Sequence, residues 1–88
     1  MTSNKLYKAA YKEWGLVPLL IKLSEECGEL IQASSKCSLG KGDRLHLAEE
    51  CADVQIMVEQ IIVATQIKKD VRYYRAEKLK KLENKLKE

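Results

Sequence analysis

Two short acidic runs hold the residues of this chain that are best suited to chemistry. Residues 25–29 read Glu-Glu-Cys-Gly-Glu, and residues 49–53 read Glu-Glu-Cys-Ala-Asp. Each run contains two carboxylates spaced three residues apart, and the four members are Glu26, Glu29, Glu50 and Asp53. Residues three apart on a helix lie on one face, about one turn from each other. Two neighbouring antiparallel helices can therefore point all four carboxylates at one spot.

Glu50 indicates what such a spot would bind. At about 100° per residue, Glu50 shares a helix face with three apolar residues, Val54, Met57 and Ile61, so we expect its carboxylate to be buried. A buried carboxylate without a partner is very unfavourable, and a cation must neutralise it. Ligand sets made only of oxygen suit hard cations such as Mg²⁺ or Mn²⁺. The sequence therefore predicts a metal site.

Acidic pairs at this spacing are also common on solvent-exposed helix faces, where they bind nothing. Glu26 and Glu29 are expected at the edge of the apolar stripe of their helix. A di-iron site would need a Glu-x-x-His motif on each of two helices, and the chain has only one histidine, His46. His46 lies one turn before Glu50 on the same face. It either contacts the metal or a phosphate, or is an ordinary surface histidine.

Composition favours one all-α domain over residues 1–88. Its 88 residues include no Phe, one Pro and four Gly, and such sparse turn residues favour a few long helices. The net charge of +3 is too small to argue for nucleic-acid binding, and no apolar run is long enough to cross a membrane. We expect no secretory signal. The three cysteines include no CxxC motif, so we interpret them as reduced thiols of a cytoplasmic protein.

Apolar periodicity and capping residues predict four helices, at residues 5–14, 18–38, 44–67 and 71–86. Ser3 or Asn4 is expected to cap the first helix, Asp43 the third and Asp70 the fourth. The inward stripe of the second helix is predicted to be Leu20, Leu23, Cys27, Leu30, Ile31 and Ser34. Short loops favour an antiparallel helical bundle, and we expect no internal repeat.

Some apolar residues fall outside one clean stripe, and they are Leu19, Ile56, Ile62 and Val63. One short bundle cannot bury all of them, so partner helices from a second chain are expected to complete the core. The predicted assembly is a homodimer or a homotetramer.

The acidic runs and their flanking residues resemble the MazG-type all-α nucleoside triphosphate pyrophosphohydrolases. The resemblance rests on residues 22–30, Lys-Leu-Ser-Glu-Glu-Cys-Gly-Glu-Leu, and residues 48–54, Ala-Glu-Glu-Cys-Ala-Asp-Val. It covers roughly residues 20–62, and the paired motif is far more specific than either half. Such enzymes cleave nucleoside triphosphates to the monophosphate and pyrophosphate. Relatives act on dUTP, dCTP or phosphoribosyl-ATP.

The resemblance implies roles for individual residues. The metal ligands would be Glu26, Glu29, Glu50 and Asp53. Glu25 would orient or deprotonate the attacking water. Lys78 and Lys81 would meet the phosphates from the last helix, with lysine where the family's usual residue is an arginine. Apart from the resemblance, the indole of Trp14 is a candidate for stacking on the base near the second helix, although packing in a core or interface is the ordinary role of such a residue.

Three functions are kept open at this point. The first is Mg²⁺-dependent hydrolysis of a non-canonical or deoxy nucleoside triphosphate. The second is phosphoribosyl-ATP pyrophosphohydrolysis, which uses the same metal chemistry on another substrate. The third is a helical interaction module without activity, against which the four intact carboxylates argue.

Overall fold

The computed structural model describes all 88 residues. It contains four α-helices and no strand. The helices are α1 (Ser3–Trp14), α2 (Leu16–Ser38), α3 (Arg44–Thr65) and α4 (Lys68–Leu86). The expectation of an all-α chain is confirmed. None of the helices has the length and apolar character needed to span a bilayer.

The helix ends match the predicted caps in part. The Asp43 carboxylate accepts a hydrogen bond from the Leu45 backbone N–H at 2.9 Å, so it caps α3 as predicted. At α1 the cap is Thr2, rather than Ser3 or Asn4. The prediction for α4 was wrong, because this helix begins at Lys68 and Asp70 lies within its first turn. There, the carboxylate still interacts favourably with the positive end of the helix dipole.

Glycines make two of the breaks between helices. Gly15 adopts a φ of 78°, a backbone conformation that other residues rarely take, and it separates α1 from α2. Gly42 is required for a different reason. A Cβ atom at Gly42 would lie 2.6 Å from the backbone nitrogen of Cys37, so only glycine lets the loop close tightly against the end of α2.

Helices α2 and α3 pair in an antiparallel arrangement. Leu19, early in α2, lines a cavity together with Met57 of α3. Glu26, seven residues further along α2, meets Glu50, which comes seven residues before Met57. Helix α1 also runs against α3, since Tyr7 donates a hydrogen bond to the Glu59 carboxylate. Helix α4 packs against α3 alone.

The buried apolar core is small and consists of Leu19, Ala33 and Met57. Leu19, predicted to lie outside the stripe, is therefore a core residue. Three predicted stripe members of α2 are exposed instead, and they are Leu20, Ile31 and Ser34. The face that α2 turns towards α3 repeats every seven residues through Leu19, Glu26 and Ala33. Pairing with one long antiparallel helix selects this narrow seam over the wider stripe that we predicted.

Candidate metal centre

The two buried glutamates of the chain face each other across the α2–α3 seam. Glu26 is 8% exposed and Glu50 is 6% exposed. The predicted burial of Glu50 is confirmed. The placement of Glu26 at the edge of its stripe was wrong, because Glu26 occupies the same seven-residue register as Leu19 and Ala33. The antiparallel pairing thus removes one carboxylate of each acidic run from water.

The four predicted carboxylates come together. One oxygen from each of Glu26, Glu29, Glu50 and Asp53 lies within 4.8 Å of the others. Glu29 is exposed and Asp53 is half-buried, so the cluster is closed on the side of the glutamate pair and reachable from the other side. A carboxylate donor set of this size, open to solvent on one side, fits a hard divalent cation that keeps some of its water ligands.

Two oxygen atoms of the cluster have no hydrogen-bond partner. Glu26 Oε2 and Glu50 Oε2 are both buried and unsatisfied. A buried, charged oxygen without a hydrogen-bond donor lowers folding stability by several kcal/mol, on the order of the loss of a charged hydrogen bond, unless a cation binds to it. Both atoms belong to carboxylates of the same cluster. The chain itself provides neither a hydrogen-bond donor nor a positive charge next to them.

Basic side chains meet the other oxygen of each buried glutamate. Lys22 Nζ lies 3.3 Å from Glu26 Oε1, and His46 Nε2 lies 4.0 Å from Glu50 Oε1. The Glu26 carboxylate raises the pKa of Lys22 above its ordinary value, and Glu25 adds to this effect. Lys22 was not predicted as a site residue. Its position four residues before Glu26 is the signal that could have identified it, because residues four apart are neighbours on a helix surface.

Glu25 lies beside the cluster on the solvent side. Its carboxylate is exposed and pairs with Lys22 at 3.6 Å. Glu25 therefore shares its ion-pair partner, Lys22, with Glu26 of the cluster.

The predicted substrate-binding residues lie in two different places. Trp14 is 61% exposed and lines a cavity of about 380 Å³. The cavity also contains Lys22, which joins it to the carboxylate cluster. Lys78 and Lys81 are exposed on α4, whose backbone does not approach that of α1 or α2 closely. Within one chain, Lys22 borders both the cavity and the cluster, whereas Lys78 and Lys81 belong to neither.

The likeness of the two acidic runs to the MazG signature stays a resemblance of sequence. The structure adds the spatial arrangement of the carboxylates. No protein-family model, curated protein or solved structure matches the chain.

Proposed function

We propose that this chain is a Mg²⁺-dependent nucleoside triphosphate pyrophosphohydrolase that releases the nucleoside monophosphate and pyrophosphate. The observation that supports this proposal is the cluster of four carboxylates within 4.8 Å, in which two buried oxygens lack any partner. A non-catalytic helical module has no use for such a cluster. Apolar residues at the positions of Glu26 and Glu50 would stabilise the seam better.

In this proposal, Glu26, Glu29, Glu50 and Asp53 hold the metal. When bound, Mg²⁺ neutralises charge on the phosphate oxygens and lets a triphosphate approach a cluster that would otherwise repel it. Glu25 is exposed beside the cluster, where its carboxylate can accept a proton from the attacking water. Mn²⁺, which also takes oxygen ligands, is expected to replace Mg²⁺.

The cavity beside the cluster is assigned to the nucleoside. Trp14 offers an exposed aromatic face for stacking on a base, and Gln60 lines the same cavity with an amide that can form hydrogen bonds. Lys22 stands between this cavity and the carboxylates. A triphosphate chain that starts in the cavity would therefore run towards the metal-binding carboxylates.

We further infer a homo-oligomer, either a dimer or a tetramer. Only five of the 88 residues are buried, and only three of these are apolar. Large apolar side chains are exposed on every helix, and they include Trp14, Ile21, Ile31, Ile56, Tyr74 and Leu82. So small a core gives little stability to a chain of this length, and burial against a second copy would add to it. Lys78 and Lys81, on the exposed α4, are assigned to phosphates bound by a second copy.

A cytoplasmic location completes the proposal. All three cysteines are unpaired, which is the state that a reducing compartment maintains.

The test of this proposal is hydrolysis of a panel of canonical and modified nucleoside triphosphates, with phosphoribosyl-ATP included. Pyrophosphate release is measured with Mg²⁺ and with excess EDTA, and phosphorus NMR identifies the products. We expect monophosphate and pyrophosphate from at least one substrate, only with metal. The Glu50→Gln variant should lose activity by orders of magnitude, since a charged metal ligand is removed. Glu49→Gln, which changes an exposed neighbour, should retain it. Full activity in EDTA would refute the proposal, and so would phosphate as the only inorganic product.

A further inference from the structure

The two acidic runs belong to a longer repeat, contrary to the expectation that the chain has none. Residues 22–30 read Lys-Leu-Ser-Glu-Glu-Cys-Gly-Glu-Leu, and residues 46–54 read His-Leu-Ala-Glu-Glu-Cys-Ala-Asp-Val. The two segments align without a gap, and every aligned pair is identical or similar in chemical type. The repeat begins with a basic residue, Lys22 in one copy and His46 in the other. The basic residue is thus as much a part of the repeated pattern as the carboxylates.

The repeat is also visible in the arrangement of atoms. In each copy the basic residue precedes the buried glutamate by four positions and approaches its Oε1 atom. In each copy the Oε2 atom of the same glutamate is buried and has no partner. Glu26 and Glu50 therefore share one arrangement, in which one oxygen faces a basic side chain and the other is buried without a partner. The contact is closer at Lys22, with 3.3 Å against 4.0 Å at His46.

We propose that Lys22 is a positioning residue of the metal centre, which holds the outer oxygen of Glu26 so that the inner oxygen faces the cation. This inference rests on the metal site of the proposed function. The Lys22 side chain is 56% exposed and spans the rim of the site, so it can fix the Glu26 carboxylate without occupying the place of the metal. Groups that orient a metal ligand in this way commonly contribute a factor of about 10–100 to metal affinity.

A competing role for Lys22 makes the opposite prediction. If the ammonium group only supplies counter-charge to the acidic cluster, it repels an arriving Mg²⁺ or Mn²⁺ ion. Its removal would then leave metal binding unchanged or make it tighter. The sign of the change in affinity therefore separates a residue that positions Glu26 from one that competes with the metal.

The experiment measures Mn²⁺ binding to the full chain without nucleotide, from the loss of the free-ion signal in electron paramagnetic resonance. Lys22→Met keeps the length of the side chain and removes its charge, and it should raise the Kd for Mn²⁺ by about tenfold or more. Lys22→Arg can reach the same oxygen and should stay close to the wild type. Lys36→Met, a change near the end of α2 at a lysine without an ion pair, serves as the control and should have no effect.

Each outcome has a distinct meaning. Equal or tighter binding by Lys22→Met, with wild-type helicity by circular dichroism, would overturn the positioning role and leave the metal site intact. Binding by Lys22→Arg that is as weak as that of Lys22→Met would also overturn it. Failure of the wild-type chain to bind Mn²⁺ would contradict the proposed function itself, together with the inference that rests on it.

Discussion

Replacement of Glu50 by glutamine should stabilise the metal-free chain, although Glu50 is one of its most buried side chains. Glu50 is 6% exposed and its Oε2 atom has no hydrogen-bond partner. A glutamine at this position would have nearly the same volume and no charge, and its amide could donate a hydrogen bond to the buried Glu26 carboxylate. The substitution therefore removes a repulsion and supplies a donor in a cluster that has too few donors.

The size of the effect follows from the separation of the carboxylates. Their ligand oxygens lie within 4.8 Å of one another. At an effective dielectric constant of about 20, two unit charges at that distance repel each other by about 3.5 kcal/mol. Lys22 neutralises part of the Glu26 charge, and the exposed side of the cluster is screened by water. We therefore expect the variant to gain about 1–3 kcal/mol in free energy of unfolding without metal.

The assay is thermal unfolding at one fixed protein concentration, in EDTA and in Mg²⁺. For a chain of this size a gain of 1 kcal/mol raises Tm by about 4–8 °C. In EDTA, Glu50→Gln should have a higher Tm than the wild type. Glu49→Gln should have the same Tm as the wild type, because Glu49 is exposed. Added Mg²⁺ should raise Tm of the wild type more than that of Glu50→Gln, since only the wild type retains every ligand. A loss of stability for metal-free Glu50→Gln would refute the repulsion on which this reasoning depends.

Four further substitutions test other parts of the structure. Gly42→Ala should lower the free energy of unfolding in urea by about 1–3 kcal/mol, because the new Cβ would meet the Cys37 backbone. At Gly28 a new Cβ meets nothing, so Gly28→Ala should raise the free energy of unfolding by up to about 1 kcal/mol, as expected for alanine in place of glycine inside a helix. Tyr7→Phe should lower stability by about 0.5–1 kcal/mol at neutral pH. The hydrogen bond to the Glu59 carboxylate on α3 raises the pKa of Tyr7 above 10.0. The contribution of this hydrogen bond to folding stability is therefore complete below pH 10 and is lost as the pH rises through the raised pKa. A profile of stability against pH for Tyr7→Phe should lack that loss. Trp14→Ala should raise KM for the nucleotide by about tenfold if the indole stacks on the base, and an unchanged KM would make Trp14 a packing residue.

The sequence alone was sufficient for the number of helices and for the identity of the carboxylate cluster. Helical periodicity and the i, i+3 spacing follow from local geometry, so they predicted both the all-α class and the buried Glu50. The same reasoning placed Glu26 at the edge of its stripe, because a helical wheel weighs only the hydrophobicity of the helix itself. The burial of Glu26 depends on α3, whose antiparallel seam passes through it.

Other features required the three-dimensional arrangement. The side chain that approaches Glu26 is Lys22, and the unpartnered state of Glu26 Oε2 is visible only when every neighbour has been placed. Helix α4 shows a different limit. Its start at Lys68 was not predicted, because Asp70 is a common capping residue and was placed just before the helix. An aspartate also stabilises a helix from inside its first turn, which is where Asp70 lies.

The central claim is that the four carboxylates form a single metal centre, and Mn²⁺ tests it most directly. Crystals of the chain grown with Mn²⁺ and measured near the manganese absorption edge locate the ion by its anomalous signal. The claim predicts an anomalous peak bounded by oxygen atoms of Glu26, Glu29, Glu50 and Asp53, including the two buried Oε2 atoms that have no other partner. An occupied Mn²⁺ site elsewhere on the chain, with no peak between these carboxylates, would contradict it.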